Sequence, residues 1–103
     1  MRTPASVATV YFASQSAEIS EAAKADLGRV ANSLKSVQQI ELHGYAGGGD
    51  PIDDRKVALA RALVVRSYLI DLGVTHRTEI FSTYLPPRGN GSTEYVDILA
   101  PGR

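Results

Sequence analysis

The sequence predicts an α+β fold, a β-α-β-α-β-β two-layer sandwich in which two helices cover one face of a mixed four-stranded sheet. Two long segments carry apolar residues at helical spacing, and four shorter ones are rich in β-branched and aromatic residues. The two kinds alternate until a final pair of strands. With 103 residues the chain is one domain, long enough for a single core and too short for two.

Residues 1–6 read as a linker, 7–100 as the folded domain and 101–103 as a tail. The stretch SVATVYFA supplies the first strand, with Val7, Val10, Tyr11 and Phe12 as its β-formers. In SEAAKADLGRVANSLKSV, Leu27, Val30, Ala31 and Leu34 recur at the i, i+3, i+4, i+7 spacing of one helix face, and Ser20 is its N-cap. QQIELHGYA is the second strand, where Ile40 and Leu42 alternate against Glu41 and His43. A turn containing Gly47, Gly48 and Gly49 follows, and Pro51 suits the first turn of a second helix, where its missing N–H costs nothing. That helix runs from Pro51 to Leu72 and stops at Gly73, and its wide apolar face predicts that it is largely buried. THRTEIFSTYL is a third strand, Pro86 to Ser92 a loop, and TEYVDILA a fourth strand. The two strand-helix-strand units imply right-handed crossovers with both helices on one face, and the last two strands are expected to pair as an antiparallel hairpin.

Composition narrows the function. Eleven basic residues balance eleven acidic ones, so the chain lacks the electrostatic footprint of a nucleic-acid binder. The absence of cysteine removes disulfides, thiolate metal sites and cysteine catalysis together. No apolar run reaches the roughly 18 residues of a membrane span, and MRTPASVATV has no hydrophobic signal core, so no membrane insertion by this segment is expected. Either the protein is cytosolic or this is a domain of a longer exported chain, which the linker-like RTPAS after Met1 fits.

Candidate chemistry concentrates around the glycine turn. Gly47, Gly48 and Gly49 precede a helix, where exposed amides and the helix dipole favour an anion; the alternative is a plain connector, since neither G-x-G-x-x-G nor a Walker loop is present. On a helix advancing roughly 100° per residue, Arg61 lies within about 20° of Asp54 and is flanked by Val57, Val64 and Tyr68. A guanidinium among apolar neighbours needs a partner, either Asp54 or a bound anionic ligand. Adjacent Asp53 and Asp54 favour the helix N-terminus electrostatically. His43 and His76 make no metal-ligand pattern, no G-x-S-x-G elbow occurs, and the expectation is a domain without cofactor, metal or enzymatic activity.

These segments, taken together, resemble the OmpA-like C-terminal domain family. FASQSAEISEAAKADLGRVANSLKS looks like the family's opening, IELHGYA its second strand, DRKVALARA its Asn-x-x-Leu-Ser-x-x-Arg-Ala helix, and YVDIL its closing strand. The resemblance implies noncovalent anchoring to peptidoglycan in the bacterial periplasm, as part of a longer membrane-anchored or exported protein. It also implies an Asp/Arg pair gripping the carboxylate and ammonium that share one end of the stem peptide's diaminopimelate. Arg61 matches the family arginine, Ala62 the alanine, Val57 the leucine, Ala58 the serine and Asp54 the asparagine; Gly44 and Tyr45 match the Gly-Tyr of the turn. The family's Thr-Asp falls on Ala46 and Gly47, or with an earlier gap Ala46 stands at the acid, so the carboxylate is lost in either register. Thr93, Glu94 and Tyr95 replace a family Asn-Arg-Arg.

Two functions follow from the resemblance. In the first, a peptidoglycan-binding module uses Arg61 and amides near Gly47 to Gly49 for the ligand carboxylate, with Asp50 or Asp54 for the ammonium. In the second, the fold serves as a structural or protein-interaction domain of a secretion, conjugation or motility assembly in the envelope, with Arg61 bridged to Asp54. Loss of one member of a charge pair that reads a zwitterion costs a few kcal/mol and favours the second, while the retained Arg61 favours the first.

Overall fold

The structure, a computed structural model, describes residues 6–13, 15–35, 39–47, 50–74, 77–84 and 94–100. Its elements are β1 (Ser6–Tyr11), α1 (Glu21–Leu34), β2 (Gln39–Ala46), α2 (Pro51–Asp71), β3 (Arg77–Tyr84) and β4 (Tyr95–Leu99), an α+β fold with two helices.

Local chemistry sets the helix ends. The Ser20 hydroxyl accepts the Ala23 N–H at 3.1 Å, satisfying a donor that has no partner inside the first turn of α1. The Asp50 carboxylate does the same for α2, accepting the Ile52 and Asp53 amides at 3.1 and 3.4 Å. Pro51 fills the first helical position. α2 stops before Gly73, whose φ of +95° lies where residues with a Cβ are strained.

The strand order is β1-β4-β2-β3. β3 runs parallel to β2, the product of the α2 crossover, while β4 runs antiparallel to both β1 and β2. The expected hairpin between the last two strands does not form, because β4 is inserted between β1 and β2 instead. There it completes two backbone ladders where a hairpin would give it one, and it buries Val96 and Ile98 completely.

Alternation along β2 and β4 sends one set of side chains inward. On that face Val10, Ile40, Leu42, Val96 and Ile98 meet Leu27, Ala31 and Leu34 of α1 and Ala62, Val65 and Leu69 of α2 in one continuous core. The other face carries Tyr11, Tyr95 and Tyr45 in a row across three strands, with ring centroids 6.1 and 4.6 Å apart. Beside them the Thr9 hydroxyl donates to the Asp97 carboxylate at 2.8 Å, and His43 and Glu41 make a 2.8 Å contact.

α2 is less enclosed than its apolar composition predicts. Ile52, Leu59, Leu63 and Ile70 lie exposed along its outer side, because the sheet lies under the helix and a single helix cannot bury apolar residues on two opposite faces against one layer. The inner side approaches β2 closely at Gly44: a Cβ there would sit 2.2 Å from the Ala58 carbonyl oxygen. This approach seats the next turn of α2, and with it Arg61, over the end of β2.

Candidate functional site

Arg61 is fully buried, with 0% of its surface exposed. Its charge is stabilised by a nearly complete set of acceptors. Nε donates to the Ser16 carbonyl at 2.7 Å, Nη1 to the Tyr45 carbonyl at 2.9 Å and Nη2 to the Ala13 carbonyl at 2.9 Å. A carboxylate completes the arrangement: Glu94 Oε1 lies 2.7 Å from Nη2. The Phe12 ring lies below, its centroid 5.3 Å from the guanidinium carbon, where the ring face attracts a cation. A buried guanidinium is tolerable only when paired and hydrogen-bonded, and here the loop after β1, the end of β2 and the residue just before β4 all supply partners.

The Glu94 carboxylate touches a second donor. The Gly47 amide, just beyond β2, donates to Glu94 Oε2 at 3.4 Å. The Glu94 backbone is fixed independently, since its carbonyl accepts the Phe12 N–H at 2.8 Å. Guanidinium and amide thus form a site for one carboxylate, and a side chain of the protein fills it. The Glu94 side chain is 17% exposed, while its Oε1, the atom beside Arg61, is buried.

The other residues expected at the site distribute around this centre. Ala46 is the buried last residue of β2, and Gly47 is buried beside it. Asp54 is fully buried on α2, two turns before Arg61. Asp50 is exposed and serves as the α2 N-cap. Gly48 and Gly49 lie outside the described residues, as does His76. The ion pair given to Arg61 is with Glu94, whereas helical spacing nominates Asp54. The sequence flags Glu94 only as a departure from the family pattern; that departure, an acid where the family is basic, is the one available signal.

Among the described residues there is no group of three or more metal-ligating side chains. No described helix is long and apolar enough to cross a membrane. A separate groove lined by Ile19, Ser20, Lys24, Val64, Tyr68 and Asp71 runs between the start of α1 and the second half of α2, and does not include Arg61. On the open face of the sheet, burial raises the pKa of Tyr45 and Tyr95 above the ordinary 10.0, and the nearby Asp97 charge raises it further.

The model of the OmpA family matches residues 11–98, nearly the whole domain. The chain belongs to the OmpA family. Among solved structures, this OmpA domain is similar to the peptidoglycan-associated lipoprotein from Burkholderia pseudomallei, with 23% identity over 88% of this chain and 87% of that one, and a TM-score of 0.74. It is similar also to the C-terminal domain of MotB from Helicobacter pylori, with 19% identity, 90% and 83% coverage and a TM-score of 0.72. The OmpA-like domain of FopA1 from Francisella tularensis gives 19% identity, 87% and 68% coverage and a TM-score of 0.71. At these identities the likeness is one of fold. No curated protein sequence matches the chain.

Proposed function

We propose that this OmpA domain is a noncovalent peptidoglycan-associating module of a bacterial cell-envelope protein, acting in the periplasm as part of a longer anchored or exported chain. One observation carries the reading: Arg61 and the Gly47 amide form a carboxylate site at the end of β2, and it holds a carboxylate, that of Glu94. The similar B. pseudomallei protein is peptidoglycan-associated by name, which supports the same ligand class. The stem-peptide diaminopimelate presents a carboxylate of the kind this donor set accepts. Binding is an exchange, in which the ligand carboxylate takes the place of the Glu94 carboxylate on donors that are already oriented.

A second reading rests on a different observation. Every acceptor around Arg61 is supplied internally and the residue is sealed from solvent, which supports a guanidinium that serves the fold alone. The domain is then a protein-interaction element of an envelope assembly.

Amide-resolved NMR titration with a diaminopimelate-containing muropeptide separates the two. Saturable shifts at Tyr45 to Gly47 and around Glu94, absent with a muropeptide carrying lysine in place of diaminopimelate, are expected from the first. Silence at millimolar ligand, in this chain and in a Glu94→Gln variant alike, overturns it in favour of the second.

A further inference from the structure

We infer that Glu94 is the specificity-determining residue of this site: it holds the place of the ligand carboxylate when the site is empty and pairs with the ligand ammonium when the site is filled. The inference rests on the peptidoglycan reading above and adds to it the identity of the acid that replaces the missing family aspartate.

Three features of the structure lead to this assignment. The carboxylate of Glu94 spans both donors, at 2.7 Å from Arg61 Nη2 and 3.4 Å from the Gly47 N–H, so an incoming carboxylate cannot use them until Glu94 leaves. The Glu94 backbone is tied to Phe12, so departure is a side-chain rotation and needs no movement of β4. Part of the Glu94 side chain reaches solvent while its Oε1 and Arg61 are buried, so rotation carries the carboxylate outward and leaves the guanidinium in place.

Charge then selects the ligand. A simple anion that displaced Glu94 would place its own negative charge beside the displaced one, and like charges at short range in a partly desolvated site repel. A ligand with an ammonium next to its carboxylate avoids this, because the displaced Glu94 pairs with the ammonium while the ligand carboxylate pairs with Arg61. Net charge is conserved at zero: two opposite charges in the empty site become four in the filled one, each facing its opposite. The site therefore takes a zwitterionic amino-acid end and rejects a plain carboxylate.

The test compares two ligands on two proteins by NMR titration. The ligands are a stem tripeptide ending in meso-diaminopimelate and the same peptide with the distal amine of that residue replaced by hydrogen. The intact chain is expected to bind the amine-bearing peptide at least tenfold more tightly. Glu94→Gln, which keeps the shape and removes the charge, is expected to bring the two affinities within about threefold of each other, a collapse worth about 0.7 kcal/mol or more of discrimination. Glu94→Asp, one methylene short with its charge intact, checks that a loss of discrimination is not a loss of fold: it should keep the preference with lowered affinity. An unchanged preference in Glu94→Gln overturns the role of Glu94 and leaves the peptidoglycan reading standing. If the intact chain binds neither peptide and Glu94→Gln binds both, Glu94 is only a plug and the inference is wrong. No saturable response from either protein overturns both the inference and the reading beneath it.

Discussion

At the scale of single residues, two positions fix the geometry on which the site depends. Arg61 is held by carbonyls of Ala13, Ser16 and Tyr45 and by Glu94, so its orientation is determined before any ligand arrives. Gly44 determines how close α2 comes to β2. Its substitution by alanine drives a methyl group into the Ala58 carbonyl oxygen, 2.2 Å away and part of a helix backbone that cannot step aside as a side chain would. Gly44→Ala is expected to destabilise the domain by about 2 kcal/mol or more in urea unfolding, and to weaken the Arg61 contact with Tyr45 in the same variant. The burial of Arg61 was legible from Val57, Val64 and Tyr68 beside it on the helical wheel. Its carboxylate partner was not, because wheel geometry ranks neighbours on one helix and Glu94 stands just before a distant strand.

At the scale of elements, caps and alternation were legible because they are local. Ser20, Pro51 and Gly73 each act within one turn of themselves, and the in-out pattern of Ile40 and Leu42 needs only the strand that contains it. The pairing of β4 was not legible. Adjacent strands joined by a turn-rich loop suggest a hairpin, and nothing local reveals that a space between β1 and β2 awaits the same strand. The outer side of α2 shows the same limit, since an apolar residue on a helix does not state whether a second layer covers it. Leu59 is exposed there, so Leu59→Glu should change the unfolding free energy by less than about 0.5 kcal/mol, whereas the same change at the fully buried Val65 should prevent folding. Thermal melts of the two variants check the contrast.

At the scale of the whole molecule, the tyrosine row gives the domain an alkaline limit. Tyr45 and Tyr95 have pKa values raised in the folded state by burial and by Asp97, relative to 10.0. As pH rises past about 10, the unfolded chain gives up its phenol protons first, so it binds fewer protons than the folded chain and stability falls with pH. The stabilisation these two phenols give is complete below pH 10 and is lost as pH climbs through their raised folded values. Urea midpoints followed from pH 8 to pH 11 should decline more steeply for the intact domain than for Tyr45→Phe/Tyr95→Phe; equal slopes would show that the row does not set the limit. The fold class itself was readable from segment order, since alternating strand and helix patterns admit few layer arrangements.

The position of β4 has a consequence for how the domain comes into being. A polypeptide emerges from its N-terminus, and the strand that joins β1 to β2 is the last to appear. Until Glu94 to Leu99 arrive, β1 has no described strand beside it and Arg61 lacks the Glu94 carboxylate. Contacts between such distant parts of the chain are slow to close. Assembly of the sheet and charge neutralisation at the arginine therefore coincide, and the final segment works as a keystone: a chain interrupted before it has neither a continuous sheet nor a neutralised arginine.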